Sequence, residues 1–254
     1  MMKRVLPIAV ACVLSLATSM AQADILINES FAHPDGNLVG QVPTPGPGAA
    51  WAAHSGAGSM PVQVSSGAII LNHGSGSRED VNSDTGLMMG AGDRWYAGFD
   101  VTVTGGTTNV YFGMFLDGTS NFLSRIWVTA PAGGGNYRLG FSNDNSITDA
   151  DGEVFSGDLS FGTTYRLVSY YDYTAMQGKL WIDPVDESSP GFLATDPGYS
   201  DPVTAYAFRQ SSGDSSQTID NLCVATTFDE ALTCIPEPAS LMLLGLGALL
   251  LRRR

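Results

Sequence analysis

The sequence predicts an all-β domain, a two-sheet antiparallel sandwich, and three observations lead there. Between the two termini no segment carries a sustained helical stripe; apolar residues alternate with polar ones in short runs instead. Gly, Asn and Asp clusters punctuate those runs, in a chain with 30 glycines and only 15% charged residues. The runs are numerous enough to fill two packed sheets around one core.

Taken in order, the predicted strands are 25–30, 68–72, 94–103, 109–116, 122–129, 137–142, 165–173, 179–182, 203–209 and 217–225. The stretch Pro43-Thr44-Pro45-Gly46-Pro47-Gly48 reads as a punctuated loop, because a strand interior has no place for so many prolines. In Arg166-Leu167-Val168-Ser169-Tyr170-Tyr171 both faces bear apolar or aromatic groups, as expected of a central strand packed on one side and lining a surface on the other. The segment 174–178 reads as a hairpin turn into Lys179-Leu180-Trp181-Ile182, and 228–232 as one helical turn before a short stalk. There is no internal repeat of fixed period.

The termini read differently from the middle. Lys3-Arg4, an apolar run over 5–17 and Ala21-Gln22-Ala23 form the pattern of a secretory signal peptide over residues 1–23, with the exported chain starting at Asp24. At the other end Pro236-Glu237-Pro238 precedes an uncharged run over 239–251 and then Arg252-Arg253-Arg254. As a helix those thirteen residues reach about 20 Å, short of the roughly 30 Å hydrocarbon core, so the run suits a temporary membrane hold. Terminal arginines favour a cytoplasmic C-terminus with the preceding domain outside. This order of Pro-Glu-Pro, apolar helix and arginines resembles the PEP-CTERM sorting signal. The resemblance implies recognition and cleavage by an exosortase, a membrane-embedded transpeptidase-like enzyme of Gram-negative bacteria that make exopolysaccharide. The expected organisation is a signal peptide over 1–23, a β-sandwich over 24–232 and a sorting tail over 233–254.

Setting both signals aside lowers Lys+Arg from 12 to 7 and Asp+Glu from 25 to 24, leaving about −17 on the exported part. So acidic a surface repels phosphate, and a nucleic-acid partner is excluded. Cys12 leaves with the signal peptide, so Cys223 and Cys234 remain as the single pair in an oxidising compartment, and a disulfide between them is expected.

The opening residues 28–41, Asn-Glu-Ser-Phe-Ala-His-Pro-Asp-Gly-Asn-Leu-Val-Gly-Gln, with Trp51 soon after, resemble the start of concanavalin A-like (LamG-like) jelly-roll domains. The pieces Leu167-Val168-Ser169-Tyr170-Tyr171-Asp172, Leu180-Trp181-Ile182-Asp183-Pro184 and Ile219-Asp220-Asn221-Leu222-Cys223-Val224 stand where that family has paired central strands and its last strand. The resemblance implies a jelly roll and is nearly silent on ligand, since the fold hosts lectins, glycosidases and adhesion modules alike.

Chemistry is sparse. No Glu-x-Asp-x-x-Glu run supplies the paired carboxylates of a retaining glycosidase, and no Gly-x-Ser-x-Gly elbow occurs, so no catalytic residue is assigned and a non-enzyme is expected. No cofactor is required; structural calcium is the one candidate. Its ligands would be Asp149 and Asp151 in a Gly/Asn-rich loop, or Glu29 and Asp35 near the first strand with Asp220 on the last. Ile147 stands where an EF-hand would place its first ligand, which favours a solvated loop for the former. His33, His54 and His73 lack triad or zinc spacing and read as surface residues. Trp95, Tyr96, Tyr111, Phe112, Trp127, Tyr137, Tyr170, Tyr171 and Trp181 lie on predicted strands, and adjacent pairs must point to opposite faces. Trp127, Tyr137 and Tyr170 are the candidate sugar-stacking rings. The expected function is that of an exported, non-catalytic surface or matrix protein contacting exopolysaccharide; a glycan-acting hydrolase or lyase and a purely structural adhesion protein are the alternatives.

Overall fold

A computed structural model describes residues 24–118, 121–144, 146–147, 152–198, 201–210 and 212–234. The signal-peptide segment 1–23 and the tail residues Pro236, Glu237, Pro238, Arg252, Arg253 and Arg254 lie outside the described residues. In chain order the strands are β1 Ile25–Glu29, β2 Gly36–Asn37, β3 Ala52–Ser55, β4 Gln63–Ser65, β5 Ala68–Asn72, β6 Asp80–Asp84, β7 Arg94–Gly105 and β8 Val110–Leu116. They continue with β9 Phe122–Thr129, β10 Arg138–Ser142, β11 Val154–Phe155, β12 Thr164–Asp172, β13 Gln177–Ile182, β14 Phe192–Ala194, β15 Ala205–Phe208 and β16 Ser216–Ala225, and one short helix follows, α1 Phe228–Thr233.

These strands form two antiparallel sheets, an all-β sandwich. Sheet A runs β14-β13-β12-β7-β16-β5-β4-β2, with β1 also on β16; sheet B runs β11-β10-β9-β8-β15-β6-β3. Strand β16 pairs β7 along one edge, while its other edge is divided between β5, at 216–219, and β1, at 222–225. The division falls at a bulge where the register shifts between Asp220 and Cys223 and Asn221 takes a φ of 52°. Asparagine suits that left-handed backbone, and its Nδ2 donates to Asp100 Oδ2 at 2.8 Å.

Side-chain parity sorts the aromatic residues between core and exterior. In each adjacent pair one ring enters the main core and the other faces out: Trp95 in and Tyr96 out, Phe112 in and Tyr111 out, Tyr171 in and Tyr170 out. Edge-to-face contacts knit the centre, with Phe99 against Phe112 at 6.2 Å and against Phe208 at 5.6 Å.

A fully buried carboxylate organises the N-terminal corner. Glu29 accepts from the Phe31 amide at 2.7 Å, from Trp51 Nε1 at 3.0 Å and from the Thr44 amide at 3.4 Å, and it meets His33 Nε2 at 3.0 Å. Its own strand, β1, is flanked by the proline loop rather than left bare: Asn28 and Ser30 donate to the carbonyls of Pro47 and Thr44.

On the outer face of sheet A lies α1. Thr227 caps it, accepting from the Glu230 amide while its hydroxyl donates to Glu230 Oε2 at 3.1 Å. Arg166 of β12 reaches its other end, donating to the Ala231 and Leu232 carbonyls at 2.7 and 3.1 Å and to the Asn221 carbonyl at 2.8 Å. Gly98 of β7 lies beneath, where a Cβ would collide with the Ala231 carbonyl oxygen. Cys234, in left-handed conformation at the C-cap, forms a disulfide with Cys223 of β16.

Two outcomes follow for stability. Glu29→Ala strands four polar partners in the corner and is expected to cost about 3–5 kcal/mol in urea unfolding, with Glu29→Gln losing less because one acceptor oxygen survives. Reducing the Cys223–Cys234 disulfide frees a short loop and is expected to cost about 3 kcal/mol, read as a lower melting temperature in reductant that Cys223→Ser reproduces.

Candidate functional site

The outer face of sheet B gathers aromatic and charged groups with no helix over them among the described residues. Along β8, Phe112 and Phe115 enter the core, and Tyr111, Met114 and Leu116 turn outward; register shifts about Gly113 reset the alternation. Ala205 and Ala207 of β15 pair with Leu116 and Met114 and lower the floor there, because they carry only a methyl group. Strands β3 and β9 are separated by β6, β15 and β8. In a flat sheet four spacings would hold them about 19 Å apart. Yet the rings of His54 on β3 and Phe122 on β9 lie 5.8 Å apart. The sheet therefore curls outward-concave, and the two side chains meet above the small floor.

Around that contact the charges come in pairs. Arg125 of β9 lies over Tyr111 at 5.2 Å and over Phe122 at 5.7 Å, and its Nη2 donates to Asp144 Oδ1 at 2.9 Å. Arg209 lies over Tyr111 at 4.2 Å, with Nε 3.9 Å from Asp80 Oδ2. Asp80 is held by the Gln210 amide at 2.9 Å and by Ser55 Oγ at 2.8 Å. Trp127 meets the edge of Tyr111 at 4.8 Å and donates from Nε1 to Ser142 Oγ at 2.9 Å. Stacked planar guanidinium groups over one phenol give the cleft a rigid combination of ring face, N–H donors and carboxylate acceptors.

His54 stands out chemically. Neither ring nitrogen has a hydrogen-bond partner, and both are sealed from solvent. Burial pulls its pKa below the ordinary imidazole value; Asp80 opposes that shift and Arg209 adds to it.

The three candidate sugar-stacking rings fall on three different surfaces. Trp127 belongs to the concave face, nearly buried beneath its neighbours. Tyr137 is a core residue, fully buried and stacked on Phe161 at 5.5 Å, and burial raises its pKa. Its parity with Leu139 and Phe141 turns it inward. Tyr170 is on the far side of the molecule, on the outer face of sheet A, under Arg94 at 4.5 Å and packed with Tyr96, Trp181 and Phe228 of α1. The helix covers that face, so it offers no open aromatic platform.

The candidate calcium ligands are likewise dispersed in their roles. Glu29 spends its oxygens on the corner, Asp35 accepts from the Ser66 amide, and Asp220 accepts from the Asn221 amide. Burial, then Asp100, raise the Asp220 pKa, which disfavours the anion a cation would need. Asp149 and Asp151 lie outside the described residues. Among the described residues no group of three His, Cys, Asp or Glu side chains could hold a metal ion. The expectation of surface histidines gives way as well: His33 is bound to Glu29, His73 is buried, and His54 sits in the cleft.

A second polar hollow, about 280 Å³, lies on sheet A where the described chain ends, lined by Asp100, Arg166, Asn221, Leu232, Thr233 and Cys234. Among the described residues no helix is long and apolar enough to cross a membrane, and 239–251 lie outside them.

The buried imidazole has a measurable consequence. His54 is neutral in the fold, and the unfolded chain takes up the proton first, near the ordinary value of about 6.5. Its contribution to stability is complete above that value and is lost as pH falls through it. Melting temperatures between about pH 8 and about pH 5 are expected to fall more for the native protein than for His54→Phe, which keeps the ring contact with Phe122; equal slopes would remove the buried imidazole as a cause.

A search of curated proteins returns no match. Among solved structures, a sialidase aligns with a TM-score of 0.49 and 15% identity over 80% of this chain. A botulinum neurotoxin type C structure aligns with 0.48 and 10% over 76%, and the metal-free carbohydrate recognition domain of Emp46p with 0.42 and 13% over 68%. The chain spans 19% of the sialidase, 48% of the neurotoxin structure and 87% of the Emp46p domain. The sequence beyond the disulfide matches one motif, over residues 235–254. The chain thus carries, immediately after Cys234, a PEP-CTERM protein-sorting motif.

Proposed function

We propose that this is an exported protein, handed by an exosortase-type enzyme to the cell surface or extracellular matrix, which holds a glycan in the concave face of sheet B without turning it over. The sorting motif at 235–254 supports the address. A short apolar run ending in three arginines supports a membrane hold that lasts until processing. The single observation behind the binding half is the Tyr111 cluster: one phenol ring flanked by Trp127, Arg125 and Arg209 on a curled sheet. Sugars present an apolar C–H face and a rim of hydroxyls, and an aromatic ring framed by fixed donors and acceptors matches both. Exopolysaccharide is the partner that this address brings within reach.

The site holds guanidinium groups that are paired with carboxylates, and an imidazole whose nitrogens are sealed. That arrangement supports recognition over proton transfer, because a general base must reach the proton it takes.

On a glycan array the secreted protein is expected to retain a subset of polysaccharides, and Tyr111→Ala to weaken that retention about tenfold or more while the protein stays folded by circular dichroism. The same incubations separate the rivals. Shortened chains in the supernatant would make the protein a hydrolase or lyase. A flat array together with loosened biofilm on deletion would make it a structural adhesion protein.

A further inference from the structure

We infer that the glycan held on sheet B is an uncharged one, recognised by its hydroxyls and C–H faces. This rests on the reading of the concave face as a glycan site and narrows it to a chemical class.

Charge balance carries the argument. The exported part bears about −17, so a polyanion approaches against net repulsion that reaches about 10 Å at 0.1 M salt. Binding it would take a local excess of cations. The concave face has none: Arg125 is matched by Asp144 at 2.9 Å, and Arg209 has Asp80 as its nearest carboxylate at 3.9 Å. Arg138 of β10 donates to the Ala130 carbonyl at 3.0 Å, lies over the Phe155 ring at 4.4 Å and is near enough to the Asp158 carboxylate to help hold its pKa down. His54 would supply a further positive charge only if it held a second proton, and both its nitrogens are enclosed without an acceptor.

The groups that remain suit a neutral sugar. A hydroxyl both donates and accepts, so neighbouring hydroxyls can take a guanidinium N–H and a carboxylate oxygen from the same Arg–Asp pair. The parts of the Tyr111 and Phe122 rings that the guanidinium groups leave exposed offer apolar surface beside those pairs. A carboxylated sugar in the same place would bring a further anion up to Asp80 and Asp144 with no cation left to meet it.

The test uses affinity electrophoresis of the secreted protein in gels containing polymers that differ in charge. Hydroxyethyl cellulose, laminarin, dextran and mannan are the neutral probes; carboxymethyl cellulose, alginate and polygalacturonate are the carboxylated ones. At least one neutral polymer is expected to retard the protein, about tenfold more strongly than any carboxylated one and with less than about a twofold change on raising salt tenfold. Preference for a carboxylated polymer, lost as salt rises, would overturn the inference and leave the glycan reading standing. Retardation by no polymer would overturn both. Asp144→Asn, which takes one carboxylate charge away from Arg125 at nearly unchanged shape, is expected to shift the neutral-to-carboxylated ratio at least about threefold toward the carboxylated polymers. An unchanged ratio in that variant would show the charge pairing to be idle and count against the inference.

Discussion

Strand β16 is the constraint on which the rest of the structure depends. It is the seam of sheet A, bonded along one edge to β7 and along the other to two strands in succession, β5 and then β1. One strand can serve two neighbours on the same side only if its backbone steps sideways between them. The bulge at Asn221 makes that step, and Asp100 of the adjoining β7 and Arg166 of β12, one strand further on, hold it. The chain's first strand and its last are thereby zipped together, and the first strand brings Glu29 to the corner where Trp51 and the proline loop converge.

The same seam explains why the two outer faces differ. Sheet A would expose Tyr96, Val168, Tyr170 and Trp181 if nothing covered them, and α1 is positioned over these residues by its capping threonine, by Arg166 and by the link to Cys223. Sheet B has no helix among the described residues, and its outer surface curls over its own small residues instead. Ala205, Ala207 and the reset alternation about Gly113 leave room for His54 and Phe122 to meet.

How much of this was legible in the sequence follows from whether each signal is local. The ten strands with apolar alternation are all present, because burial of one face imposes period two on neighbouring residues. Strand β6, Asp80–Asp84, is not among the predicted strands; it forms because β15 and β3 flank it, and its outward residues can remain polar. The two-residue strands β2 and β11 are too short to carry a pattern. The sorting motif is contiguous and so was readable. The site is not contiguous: His54, Asp80, Tyr111, Phe122 and Arg125 come from four strands and Arg209 follows a fifth, and only the curl of the sheet unites them. For Tyr137 the signal was present, since it shares parity with Leu139 and Phe141. For Tyr170 it was not, because only tertiary packing shows that α1 covers it.

The sulfur bridge at the end of the domain has a mechanical meaning. Whatever is attached beyond Cys234 pulls on that residue, and the shortest covalent route inward is through the disulfide to Cys223, not back along α1. The load therefore arrives inside β16, between β1 and β7, and is shared among rows of ladder hydrogen bonds that must slide together before any can part. A helix of six residues pulled end-on would unravel turn by turn. Cross-linking past it carries a pull on Cys234 into β16 and its two ladders and spares the helix.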